Sequence, residues 1–167
     1  MTPRGTLALL GVLALLVVYL SVVDRPSSTT VDEEPLLTAP AAQVTRVEIT
    51  WPDARLLAVR RDGGWRDQDE RPLPSGLVDD LLAALGTVRP METLASTGPT
   101  ASEYGFGPRT TSLSIGAGGN PLLHLEMGDR NPSRTGVYVR RSGSVEVLLV
   151  GALLHWELEK LRAAASR

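Results

Sequence analysis

The chain of 167 residues contains no cysteine. That excludes disulfide frameworks, thiolate zinc sites, iron–sulfur clusters, cysteine nucleophiles and a lipidated N-terminal cysteine. Histidine is nearly as scarce: His124 and His155 are the only two, little material for a histidine-based metal site. Among 17 basic side chains the single lysine is Lys160. It falls in the last helical stretch, and no GxxxxGK[ST] phosphate loop exists. The serine-hydrolase elbow GxSxG is missing as well. A net charge of −2 gives no electrostatic reason to expect nucleic acid as a partner. The expectation from these absences is a protein that is not an enzyme, with no catalytic residues, no cofactor and no metal.

What the chain does have in quantity is apolar sequence at its start. The 18 residues Thr6–Val23 carry no charge and are mostly Leu, Val and Ala. At 1.5 Å per residue they extend roughly 27 Å, close to the thickness of a bilayer's hydrocarbon layer. A cleaved secretory signal is the alternative. The run is longer than the roughly 7–15 residues usual for one, and no A-x-A-like site follows. Residues 1–23 are therefore expected to be a retained single-pass anchor, with contact to the membrane through residues 6–23. Arg4 precedes the run; Arg25 and then Asp32, Glu33 and Glu34 follow it. By the positive-inside rule this favours, by a thin margin, a cytoplasmic N-terminus and an extracytoplasmic C-terminal domain.

Residues 24–43 mix Pro, Ser, Thr and acidic side chains without helical or strand period. They read as a flexible linker, with Leu36 and Leu37 as two apolar residues able to dock on the domain. From Val44 to Ala165 the pattern is α+β. Val47, Ile49 and Trp51 alternate with polar residues, Leu56–Arg61 returns, and Trp65 opens a short third strand after Asp62-Gly63-Gly64. Trp65 is expected to be buried between these strands and the next helix. That helix has Ser75 as expected N-cap, apolar residues at 77, 78, 81, 82 and 85, and Gly86 as its stop. Thr87–Ser102 reads mostly as loop, and Tyr104–Pro108 as a tight connection whose aromatics plug the edge of the core. Four strands follow, at 110–115, 122–127, 137–140 and 145–150, before a final helix carrying Leu153, Leu154, Trp156, Leu158 and Leu161. The expected architecture is an antiparallel or mixed sheet with two helices packed on one face, preceded by a single transmembrane helix. The order strands–helix–strands–helix also allows a degenerate internal duplication.

Few residues stand out as a site. Gly116-Ala117-Gly118-Gly119 lies between strands and reads as a hairpin turn rather than a dinucleotide loop. His124 takes the outward phase of its strand, and His155 with Glu159 reads as exposed polar positions on an amphipathic helix. The best candidate is the loop Gly128–Gly136, with Arg130, Asn131 and Arg134 as candidate ligand or partner contacts. Two guanidinium groups among Asn, Ser and Thr donors suit an anion or a partner backbone. Plain turn chemistry at Asp129, Asn131-Pro132 and Gly136 is the alternative.

In this order, Val47-x-Ile49, Arg61-Asp62-Gly63-Gly64-Trp65, a Leu-rich helix, Tyr104-Gly105-Phe106-x-Pro108, Leu125-x-Met127-Gly128-Asp129 and Val137-Tyr138-Val139-Arg140 resemble the bacterial family catalogued as domain of unknown function 4340. The resemblance covers roughly Val44 to Leu161. Phe106 stands where that family usually has Leu, and Pro108 comes one position early. Members share an N-terminal anchor and are often linked to ABC-type export systems akin to the auxiliary component of gliding motility. No catalytic residues carry over. The resemblance therefore implies a membrane-anchored extracytoplasmic accessory or assembly module with a membrane-protein or envelope partner. The alternative from another class is a domain that binds a small anionic ligand or glycan. A partner surface would leave an apolar or aromatic patch on the sheet face away from the helices; a ligand site would leave a concave pocket with converging polar groups.

Overall fold

The structure, a computed structural model, describes residues 34–94 and 100–165. The expected anchor, Thr6–Val23, and the linker residues up to 33 lie outside the described residues. Among the described residues no helix is long and apolar enough to cross a membrane.

Eight strands form one antiparallel sheet: β1 (Arg46–Thr50), β2 (Arg55–Arg61), β3 (Gly64–Arg66), β4 (Pro90–Leu94), β5 (Thr111–Ala117), β6 (Asn120–Arg130), β7 (Gly136–Arg141) and β8 (Val147–Gly151). Their order across the sheet is β3-β2-β1-β5-β6-β7-β8-β4. Two helices complete the fold, α1 (Leu77–Thr87) and α2 (Leu153–Ala165). The sheet is antiparallel throughout, which resolves the expected choice between antiparallel and mixed. β1 and β5 each open a run of strands and lie side by side as the third and fourth of the eight, with Ile49 opposite Leu113.

Strand alternation selects the face that is covered. Val47, Ile49, Leu56, Ala58, Leu113, Ile115, Leu125, Met127, Val137, Val139, Leu148 and Val150 share one core with Val78, Leu81, Leu82 and Leu85 of α1 and Leu154, Leu158 and Leu161 of α2. Trp65 is 7% exposed. Its indole Nε1 donates to Asp79 at the start of α1, 3.0 Å away, and the Arg60 guanidinium lies 4.7 Å from the ring centre. The expected burial of Trp65 against the helix is therefore found. Leu36 and Leu37 are buried in the same core, and their backbone N–H groups donate to the carbonyls of Val88 and Leu85. The packed body thus takes in residues upstream of the Val44 boundary drawn from the sequence.

Four local expectations need correction. Ser75 does not cap α1; Gly76 occupies that place with φ of 82°, and no side chain caps it. Asp79 and Asp80 in the first turn are left to complement the helix dipole. Gly86 does not end α1, which continues to Thr87, whose hydroxyl donates back to the carbonyls of Ala83 and Ala84. Within Thr87–Ser102 lies a strand, β4, paired with β8 across a bulge. A proline is tolerated at the first position of an edge strand because its missing N–H is not needed there, and β4 is the edge. Finally, the two aromatics of Tyr104–Pro108 divide: Phe106 is buried at the edge of the core as expected, though outside the main cluster, and Tyr104 is only half-buried. Tyr104 packs with its ring tilted 59° against Tyr138, which points away from the helices on the opposite face of the sheet.

Candidate functional site

At one end of the sheet β1 and β6 finish, β5 and β7 begin, and α2 starts after β8. The connection from 102 to 110 folds over this end. Its seat is Gly128 on β6. A Cβ there would overlap the carbonyl oxygen of Tyr104 and touch the Phe106 ring at 3.4 Å, so only glycine lets the connection lie against the strand. Gly105, at φ of 80°, faces Asp129, whose atoms leave no room for a Cβ. Tyr104 meets Tyr138 with ring centres 4.8 Å apart. Arg140 places its guanidinium 4.8 Å from the centre of the Phe106 ring and donates through Nε to Glu126 at 3.0 Å. Three separated stretches, Tyr104-Gly105-Phe106, Gly128-Asp129 and Tyr138-Val139-Arg140, thereby form one aromatic clasp on the face without helices.

Beneath the clasp, at the same end, is a cleft of about 780 Å³. Trp51, Phe106, Met127, Val137 and Leu158 are buried side chains on its wall. Around them stand Asp53 from the β1–β2 turn, Arg109 after the clasp, Asp129 and Arg130 at the end of β6, and His155, Glu159 and Arg162 from α2. Arg162 bridges to Asp53 at 2.6 Å and lies 3.7 Å from Glu159. The hydrogen bond from Arg162 holds the Asp53 carboxyl below the usual carboxylate range. Burial holds His155 below the ordinary histidine value; nearby Arg130 pushes the same way and Glu159 opposes it. Among the described residues, no group of three His, Asp or Glu side chains is placed to hold a metal ion.

The three residues singled out in the 128–136 loop part company. Arg130 lines the cleft. One of its terminal nitrogens donates to the backbone carbonyl of Arg134, and its guanidinium lies 5.2 Å from the centre of the Trp156 ring. Asn131 closes the loop: its Oδ1 accepts from the Gly136 N–H, and its Nδ2 donates to Ser133 and Thr135. Arg134 has φ of 60° and an exposed side chain that is not on the cleft wall. His124 is exposed and hydrogen-bonded to Ser114 across the strands. His155 is half-buried in the cleft rather than exposed. Arg109, His155, Glu159 and Arg162 were not legible as one site because they lie on segments far apart in sequence. The only local signal was Arg109 directly after the Tyr104–Pro108 motif.

Of the two surface types distinguished above, the concave one has a counterpart among the described residues, while the clasp aromatics are buried or half-buried rather than an exposed patch. The face away from the helices carries the clasp, and the end of the sheet carries a concave pocket with converging polar groups. Trp156 and Leu153 add exposed apolar surface beside Arg130. Residues 70–164 match the family described as Domain of unknown function (DUF4340). No curated protein and no solved structure is significantly similar. The chain belongs to that family.

Proposed function

We propose, with this family membership as the premise, that the chain is a membrane-anchored extracytoplasmic accessory or assembly module. It would serve an envelope complex of the ABC-type transport or gliding-motility kind and work by holding a partner rather than by catalysis. The observation that supports this reading is the clasp. The residues that carry the family resemblance are spent on one another: Tyr104 on Tyr138, Phe106 on Gly128 and Arg140, Arg140 on Glu126. Side chains committed to fixing a loop are not free to move protons or attack a substrate. They make a rigid platform, which is what a binding surface requires.

Two measurements test it. The full-length chain should remain in carbonate-washed membranes, with its C-terminal domain digested by protease added to intact spheroplasts. Gentle solubilisation from its own host should recover it with an ATPase and a permease subunit. A soluble full-length chain, or a domain protected from external protease, contradicts the proposal.

A second reading, a domain for a small anionic ligand or glycan, is favoured by the cleft. Its volume of about 780 Å³ lies within the roughly 300–1,000 Å³ of small-molecule sites. The two readings are compatible: a tethered module can present a ligand site to the complex it serves.

A further inference from the structure

We propose that the cleft binds a small carboxylate with an apolar or aromatic body, and that Arg130 with Arg109, not Arg130 with Arg134, takes the carboxylate. This rests on the second reading above and names its ligand class. The apolar part follows from the wall, where Trp51, Phe106, Met127, Val137 and Leu158 meet. Such a surface suits a ring or short chain.

The charge follows from counting which cations are already engaged. Three arginines line the cleft. Arg162 is held by Asp53 and Glu159, which leaves Arg130 and Arg109. Asp129 stands at the same end, and over the whole lining Asp53, Asp129 and Glu159 balance the three arginines, so a second negative charge on a ligand would meet no excess cation. That balance selects a monoanion over a polyanion. Arg130 is held ready by the Arg134 carbonyl and the Trp156 ring, and a fixed guanidinium loses little freedom on binding. Its Nε is buried without an acceptor among the described residues. A buried donor of this kind is costly unless an acceptor reaches it. A planar carboxylate matches the fork of a guanidinium. Arg134 contributes through its backbone carbonyl only, so its side-chain charge is not part of the site.

The three tryptophans make the test direct. Trp51 lies in the cleft wall and Trp156 stands against Arg130. Trp65 does not line the cleft and reports the fold. The full chain labelled with 5-fluorotryptophan, in phosphatidylcholine nanodiscs at pH 8, is titrated by fluorine NMR with 3-phenylpropionate, 3-phenylpropionamide and phenyl phosphate. The expected result is a saturable shift of Trp51 and Trp156 with 3-phenylpropionate. The uncharged amide and the dianionic phosphate should each bind about tenfold more weakly or worse. Arg130→Gln should weaken 3-phenylpropionate by about tenfold, as expected for one lost charge-assisted contact. Arg134→Gln should change nothing.

Absence of saturation with 3-phenylpropionate overturns the proposal, as does unchanged affinity in Arg130→Gln. If Trp65 moves in Arg130→Gln, that variant has lost its fold and Arg109→Gln decides instead, with unchanged affinity again overturning the proposal. Equal binding of the amide sinks the carboxylate while leaving a ligand cleft standing. Tighter binding of phenyl phosphate sinks the single-charge argument in the same way.

Discussion

On the helical face of the sheet, Val47, Ile49, Leu113, Leu125 and Val139 are buried under leucines from α1 and α2. Apart from the Asp79 and Arg60 contacts of Trp65, the packing there is between apolar side chains, and volume decides the fit. On the opposite face the covered region is small and made differently. A connection lies directly on the backbone of Gly128, two tyrosines meet with tilted rings, and Arg140 holds Phe106 while bonded to Glu126. The helical face tolerates exchange among apolar residues of similar size. The clasp does not, because it depends on an absent Cβ and on rings at fixed positions. The first face makes a stable sheet, and the second fixes the end of the sheet where the cleft opens.

The strongest challenge to this contrast removes volume from the helical face. Trp65→Ala should cost about 3–5 kcal/mol in stability, a large part of the roughly 5–15 kcal/mol of an ordinary domain. Urea unfolding measures it, and an unchanged midpoint would mean that the face does not rely on Trp65. Next, Gly128→Ala adds one carbon to the clasp. It should cost about 1–3 kcal/mol, the range for overpacking. It should also move the fluorine resonance of Trp51 in the neighbouring cleft more than that of Trp65. If Gly128→Ala melts like the parent protein, the clasp is loose and the contrast between the faces fails.

Gly86→Ala sharpens the comparison from the other side. Gly86 lies within α1, and a Cβ there would meet nothing within 4 Å. Alanine should therefore stabilise by about 0.5 kcal/mol through helix propensity, giving glycine substitutions of opposite sign in one protein. The smallest effect belongs to His155. Burial lowers its proton affinity in the folded state below the ordinary value of 6.5. The unfolded chain then binds the proton more readily. This contribution to stability is complete above about pH 6.5 and declines as pH falls through the interval down to the lowered folded value. Thermal melts at pH 7.5 and 5.5 should show a smaller loss in His155→Gln than in the parent chain.

The strands were legible wherever one face is buried, because alternation of apolar and polar residues is then enforced. β1, β2, β5, β6 and β7 fall within a few residues of their expected places. β4 was not legible. Pro90-Met91-Glu92-Thr93-Leu94 has no clear alternation, and a bulge interrupts its pairing. What makes it a strand is β8, more than fifty positions away, and no local pattern reports that. Gly76 displaced Ser75 as the helix cap for a similar reason: propensity favours serine, while the chain arriving from Pro74 takes a left-handed turn. In the candidate loop, Asn131 behaves as its turn chemistry suggests, and Arg130 departs from Arg134 because its neighbours are Trp156 and the cleft. The family motifs were visible as separate short patterns. That they touch one another required the sheet to bring β6 and β7 together.

The position of β4 also bears on the time course of folding. In a chain made from its N-terminus, β1, β2 and β3 pair with one another as soon as they emerge. β4 does not: Leu94 is opposite Val147, and Pro90 opposite Val150. Until β8 arrives, this strand has no neighbour on either side. Closing so long a loop is slow compared with making a hairpin. During that interval the nascent chain displays an unpaired edge to any other chain nearby. The proline at its head and the bulge after it make that edge a poor template, protecting the polypeptide before its last strand is in place.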